Sequence, residues 1–313
     1  MRIVCDAHIP YLVDAVQNAW QSVDIFPLKP EEINASAVCD ADVLVVRTRT
    51  RVDESLLKDS RVRLVCTATI GFDHIDTAYC DTHGIRWMSC PGCNAQAVCD
   101  YIEEAIEEYL NSQFSTLNSQ FSIGIIGDGH VGSLVARMAE RKGLRVLLND
   151  PPKGIGVSLD EIARNCDIIT FHVPLDKSTY HLCNEAFLGR CKPNALIINA
   201  ARGGVVDEQV LLRSGHPYIL DTWENEPDIH QTVLHHAFRA SMHIAGYSVQ
   251  GKHNATQMCL DAIADTFGLP KIILTLPKTT KGDTSPGWLA RISDTIKAHP
   301  EQFETLRKNY LLR

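Results

Sequence analysis

The sequence predicts an α/β protein of two doubly wound, parallel-sheet domains. Three observations predict it. Short apolar runs alternate with segments of helical spacing along most of the chain. The runs end on polar or glycine clusters. One strand, glycine turn, helix and second strand follow one another near the middle. The 313 residues suffice for two domains, and 45% hydrophobic with 22% charged content suits a packed globular chain.

Taken in order, residues 2–5 read as a first strand. Residues 10–20 have apolar side chains at 11, 12, 15, 16 and 19, a helical spacing. Val43–Val46 is a buried strand ending on Arg47-Thr48-Arg49-Thr50. Residues 64–68 form another, ending on Thr69-Ile70-Gly71-Phe72-Asp73, and residues 85–88 a fourth. Ligands of parallel sheets bind beyond the carboxyl ends of strands, which directs attention to Arg47-Thr48 and Thr69-Ile70-Gly71. A long helix is expected over 93–110, with Asn94 as N-cap and Glu103, Glu104, Glu107 and Glu108 as a solvated face. Residues 111–122 hold Asn-Ser-Gln-Phe-Ser twice and read as a polar connection.

Further along, Ser158 marks a helix start. Strands are expected over 167–171, 195–199 and 218–220, with Met242-His243-Ile244 next in the pattern. Their carboxyl ends deliver His172-Val173-Pro174, Ala200-Ala201-Arg202-Gly203-Gly204 and Asp221-Thr222-Trp223. Residues 288–312 form a final amphipathic segment.

Composition excludes several classes. A net charge of −8 and the lack of a basic stripe argue against a nucleic-acid binder. No apolar run approaches a membrane span, and the first residues read as a strand and not as a signal peptide. Eleven cysteines without disulfide-scaffold spacing suit a reducing cytoplasm. Cys90-Pro91-Gly92-Cys93 matches C-x-x-C but has no second pair, so a turn holding two thiols is preferred and no metal is expected.

The central unit carries the first chemical assignment. Residues 121–126 form a strand, Gly127-Asp128-Gly129-His130-Val131-Gly132 a glycine turn, and Leu134, Val135, Met138 and Ala139 one face of a helix. A second strand ends on Asn149-Asp150. The glycines permit a tight turn, close approach of backbone to a pyrophosphate, and packing of helix on strand, in the manner of a Rossmann-type dinucleotide-binding domain. Gly127, Gly129, His130, Val131 and Gly132 are read as cofactor-binding. Asp150, eighteen positions beyond Gly132, suits the adenosine ribose hydroxyls. An acid there repels a 2′-phosphate, so NAD is expected over NADP.

Three residues behind this motif suggest a reaction. Arg202 follows a strand and can bind a carboxylate bidentately. His243 suits proton transfer near neutral pH, and Glu226 could pair with it and orient its ring. An alcohol beside a carboxylate, oxidised by NAD, requires a base, a cation and a nicotinamide.

The stretches 199–207 and 221–227, with His243, resemble the D-isomer-specific 2-hydroxyacid dehydrogenases over about residues 1–260. Also similar are Thr67-Ala68-Thr69-Ile70-Gly71-Phe72-Asp73-His74, Pro91-Gly92-Cys93-Asn94-Ala95, Asp150-Pro151-Pro152 and the run from His243 through Tyr247 to Lys252. The resemblance implies Arg202, Glu226 and His243 as catalytic residues. It implies Thr48, Thr69 and Tyr247 as substrate contacts, and Asp150, Asp221 and Gly246 as NAD contacts. Val173 stands near the cofactor where similar enzymes often have threonine.

Arg47 and Lys252 are expected as further donors to a phosphorylated 2-hydroxy acid, the substrate class implied. The expected domains are 1–93 for substrate and 94–250 for NAD, with the substrate in the cleft between them. Residues 251–313 would return toward the first domain and could form a subunit contact in a homodimer. A dehydrogenase of another D-2-hydroxy acid such as 3-phosphoglycerate, and an NAD-sensing regulator on the same fold, are the alternatives.

Overall fold

Runs of β-branched and aliphatic residues buried on both faces become the central strands of two sheets. A computed structural model describes residues 1–113, 121–276 and 282–313. The chain divides into two units, Met1–Asn94 with Ser248–Thr280, and Ala95–Tyr247 with Lys281–Arg313.

The first unit holds β1 (Arg2–Asp6), β2 (Asp24–Leu28), β3 (Val43–Val46), β4 (Leu64–Thr67) and β5 (Arg86–Met88), all parallel in the order β2-β1-β3-β4-β5. Alternation explains the burial. Ile3, Cys5, Val43, Val45, Leu64 and Cys66 face the helices Leu12–Ala19 and Val249–Phe267, through Leu12, Val16, Cys259 and Leu260. Val4, Leu44, Val46 and Val65 face the other way, toward Val38, Leu56, Leu57 and Cys80. β2 was not expected from sequence. Asp24 and Pro27 break its apolar pattern, and its place at the sheet edge is where proline is tolerated.

The second unit adds β6 (Ser122–Ile126), β7 (Arg145–Asp150), β8 (Ile155–Gly156), β9 (Ile168–Phe171), β10 (Leu196–Asn199), β11 (Tyr218–Leu220) and β12 (Arg239–Ala240). Their order is β12-β11-β10-β9-β6-β7-β8, parallel except for β8. Strand order reverses between β6 and β9, the place where a doubly wound sheet opens a ligand crevice. The last strand is Arg239–Ala240 and not Met242-His243-Ile244, which lies in the loop beyond it.

The return of the chain also departs from expectation. Residues 248–276 rejoin the first sheet, but 282–313 pack on the second. Pro300 divides the expected single amphipathic segment into helices Trp288–Ala298 and Phe303–Asn309. Trp288, Leu289, Ile296 and Phe303 are buried in the second unit's core. Of the glutamates expected as a solvated face of helix Ala95–Gln113, Glu103 and Glu107 pair with Lys142, while Glu104 and Glu108 take part in this packing. Glu104 accepts the Gly287 amide at 2.8 Å and Glu108 that of Ala290 at 3.0 Å. Carboxylates thus satisfy amides that a helix start leaves without intrahelical partners. The repeated Asn-Ser-Gln-Phe-Ser segment falls largely outside the described residues. None of the eleven cysteines is in a disulfide. Among the described residues, no helix is long and apolar enough to cross a membrane.

Candidate active site

The glycine turn joins β6 to helix Gly132–Arg141. Gly127 has φ 95°, and a Cβ on it would stand 2.6 Å from the His172 carbonyl oxygen. A Cβ on Gly132 would stand 1.9 Å from the Gly127 oxygen, so the helix can start here only without a side chain. Gly129 differs, since a Cβ there would meet nothing within 4 Å. Packing within the protein does not demand this glycine, but a pyrophosphate lying on the turn would. Val173, after β9, borders Gly127, while His130 is exposed and Val131 half-buried.

Asp150 ends β7, and its Oδ2 accepts the Asp128 amide at 2.9 Å, which fixes the acid beside the turn. Lys153 lies 3.7 Å from the same oxygen. This arrangement of open turn, helix start and adjacent acid fits a dinucleotide.

The loops after β10, β11 and β12 carry the reactive groups. Buried Asn199 braces the first, donating from Nδ2 to the Arg202 carbonyl at 2.8 Å and accepting the Ala201 amide at 3.1 Å. Arg202 is half-buried, and its Nη1 donates to the Ala201 carbonyl at 2.7 Å.

Asp221, 1% exposed, braces the third loop. Its carboxylate accepts Ser241 Oγ at 2.6 Å, Ile244 N at 2.7 Å and Ala245 N at 3.0 Å, and its carbonyl accepts His243 N at 2.8 Å. The resemblance placed Asp221 at the cofactor; the bonds seen here hold the loop that carries His243 and Gly246. His243 itself has φ 58°, a left-handed turn uncommon for a non-glycine residue, and the bonds to Asp221 hold the loop around it.

The central pair is Glu226 and His243. His243 Nδ1–H donates to Glu226 Oε2 at 2.8 Å, which leaves Nε2 as the ring's acceptor. Glu226 Oε1 accepts the Trp223 amide at 2.9 Å. Burial pushes the Glu226 carboxyl up. The His243 bond and charge, the Trp223 amide and Arg307 outweigh this and hold it below the usual carboxylate range.

Three contributors had no sequence signal. Glu208, 3% exposed, accepts the Glu224 amide at 2.6 Å and so props the loop that bears Glu226. Burial, with Glu224, Glu226 and Asp207 nearby, pushes its carboxyl up to about 7, against the lowering effect of the Glu224 amide. His181 bridges Glu224 at 2.5 Å and Asp207 at 3.4 Å. Arg307, on helix Phe303–Asn309, reaches Tyr247 Oη and Glu226. Each lies far in sequence from what it touches.

The first unit's expected substrate residues fare differently from one another. Thr48 is exposed beyond β3. Thr69 Oγ1 donates to the Gly71 carbonyl at 2.9 Å and lies 2.7 Å from Thr67 Oγ1. Arg47 is held within the protein: its Nε and Nη2 donate to buried Asp6 at 2.7 and 3.3 Å, and its side chain stays partly exposed. Cys90 Sγ donates to the Thr67 and Ala255 carbonyls, and burial pushes the Cys93 thiol up to about 12.

Residues 102–245 match the family model of the D-isomer specific 2-hydroxyacid dehydrogenase, NAD binding domain. Over its full length the chain is 42% identical to an erythronate-4-phosphate dehydrogenase of Bacteroides fragilis, covering 97% of it. It is 37% identical to that of Pseudomonas syringae pv. tomato, over 96% of this chain and 80% of the relative. Among solved structures, an Aquifex aeolicus D-lactate dehydrogenase complexed with NAD and lactic acid is similar at TM-score 0.67. It is 24% identical and covers 85% of this chain and 96% of its own. The apo D-mandelate dehydrogenase of Rhodotorula graminis reaches TM-score 0.73 at 19% identity, covering 88% of this chain and 98% of its own.

Proposed function

The chain belongs to the D-isomer-specific 2-hydroxyacid dehydrogenase family, and from that premise we propose that it oxidises 4-phospho-D-erythronate to (R)-3-hydroxy-2-oxo-4-phosphobutanoate in pyridoxal 5′-phosphate biosynthesis. It is an NAD-dependent oxidoreductase. The observation that carries the reaction is the Glu226–His243 pair at 2.8 Å. Full-length similarity to erythronate-4-phosphate dehydrogenases supports the substrate.

The pairing dictates the proton's route. With Nδ1–H committed to Glu226, His243 Nε2 takes the C2 hydroxyl proton, and Glu226 stabilises the imidazolium that forms. Arg202 holds the substrate carboxylate and polarises the C2 oxygen. NAD supplies the hydride acceptor. Gly127, Gly129, His130, Val131, Gly132, Val173 and Gly246 would form its surroundings. Asp150 would take the ribose hydroxyls. Thr48, Thr69 and Tyr247 keep the substrate role the resemblance implies. The thiol-rich composition supports a cytoplasmic setting, and a homodimer is the assembly proposed.

NADH formation with 4-phospho-D-erythronate, compared with 3-phosphoglycerate, D-glycerate and D-lactate, tests the reading. The highest kcat/KM is expected for 4-phospho-D-erythronate. Preference for 3-phosphoglycerate would transfer the chain to another member of the family. NAD binding without turnover of any of these acids would favour a regulator.

A further inference from the structure

The proposed reaction leaves Arg307 without a role, although it reaches the catalytic pair from the far end of the chain. Arg307 Nη1 lies 3.8 Å from Glu226 Oε2, the same oxygen that accepts His243 Nδ1–H. Its Nε–H donates to Tyr247 Oη at 3.2 Å. Glu304, one turn earlier on the helix, accepts from Nη1 at 3.3 Å and aims the guanidinium. Three-quarters of the Arg307 side chain is covered. One residue of the C-terminal helix therefore touches both the partner of the catalytic histidine and an expected substrate contact.

The surrounding charge gives these contacts their meaning. Glu208, Glu224, Asp207 and Asp221 approach from the helix Glu208–Ser214 and the neighbouring loops, with His181 bridging Glu224 and Asp207. Glu304, Tyr247 and Tyr310 stand on the C-terminal side. Among the described residues, Arg307 is the only permanent cation within ion-pair distance of Glu226. Arg313, which donates to the Ala245 carbonyl at 2.7 Å, is a second cation on this side. Without Arg307, however, Glu226 itself would keep no permanent cation in ion-pair distance, and a protonated His243 ring would be favoured. Oxidation needs the neutral ring.

We propose that Arg307 is a positioning residue: it fixes Glu226 and Tyr247 from the C-terminal helix and balances the local carboxylates, so that His243 stays able to accept a proton. This role rests on the proposed reaction for its importance, but it can be read without turnover.

The test uses Arg307→Met, Arg307→Lys and Glu304→Gln in the full chain. For Arg307→Met, the acid limb of kcat/KM for oxidation should move up by roughly 0.5–1 pH unit. That is a loss of roughly 3- to 10-fold on the acid side, recovered at alkaline pH. Arg307→Lys should restore the limb. Glu304→Gln should move it the other way, and with Arg307→Lys it keeps the test intact if the methionine variant does not fold. The His243 imidazole titration, followed by NMR without substrate or cofactor and assigned through His243→Asn, should move in the same directions.

An unmoved profile with an unmoved NMR titration would overturn the proposal, as would a loss independent of pH. A rise in KM confined to the phosphorylated substrate, with the profile in place, would make Arg307 a phosphate contact instead. If NMR shows the shift but no 2-hydroxy acid is oxidised, the reaction assignment fails and the positioning role stands.

Discussion

In each unit a basic side chain holds a carboxylate, Arg47 on Asp6 and His243 on Glu226, and the two pairs differ in what they can do. In the first unit Asp6, fully buried at the end of β1, accepts Arg47 and the His8 amide, with the exposed His8 ring 3.1 Å away. In the second, Glu226 accepts His243 and the Trp223 amide. Both carboxyls lie below their usual range although burial pushes each up. Arginine stays charged at every accessible pH, so the first pair is a brace. Histidine changes charge near neutrality, so the second can move a proton. The two pairs share a hydrogen-bonding arrangement and differ in whether the closest cation titrates.

The largest effect should come from breaking the titrating pair. His243→Ala should lower kcat by about 10²- to 10⁴-fold, with NAD affinity within about twofold of the parent. Steady-state kinetics and a cofactor titration measure the two. Near-normal turnover would remove the distinction between the pairs.

Breaking the brace should cost stability instead. Arg47→Ala leaves buried Asp6 without its partner and should destabilise by about 3 kcal/mol, at the low end for such pairs because Arg47 is partly exposed. Its sign with pH is defined. A carboxyl whose folded pKa is lowered adds stability above its unfolded pKa and loses it as pH falls through the folded value. Urea unfolding of the parent should therefore show an acid loss that Arg47→Ala largely lacks. If Arg47→Ala instead raises KM with stability unchanged, Arg47 reads substrate after all.

Glu208 sharpens the comparison because its shift has the opposite sign. A carboxyl raised to about 7 stabilises the fold below its unfolded pKa, and that contribution is lost as pH rises toward 7. Glu208→Gln keeps an oxygen for the Glu224 amide but cannot ionise. Relative to the parent it should gain about 2 kcal/mol on going from about pH 5 to pH 8. Parallel stability curves for the two proteins would place Glu208 outside this argument.

The smallest effect is expected at Glu226. Glu226→Gln retains an acceptor for His243 but loses the charge, so the acid limb of kcat/KM should shift to lower pH. A fall in kcat of about tenfold should accompany it. An unmoved limb would show that the two side chains do not interact.

Much of this was legible in the sequence because it depends on near neighbours. β1, β3 and β4 declare themselves by continuous apolar runs. The glycine turn does so because at Gly127 and Gly132 steric demands one residue wide leave only glycine. Arg202, Glu226 and His243 were identified by chemical type and by position after strand-like segments. β2 was missed, since an edge strand tolerates proline and polar residues. The amphipathic segment expected over 288–312 is two helices, because Pro300 interrupts it.

By itself, then, the sequence determined the parallel α/β architecture, the dinucleotide turn and the types of the reactive residues. These follow from periodicity and from side-chain chemistry, which are properties of neighbouring residues. Tertiary structure alone decided which partners meet. It gave Arg47 to Asp6, set Asp221 to hold the His243 loop, and placed Glu208 beneath Glu224. It also brought Arg307 to Glu226. A buried charge must find compensation wherever the folded chain supplies it, and that place has no fixed spacing in sequence.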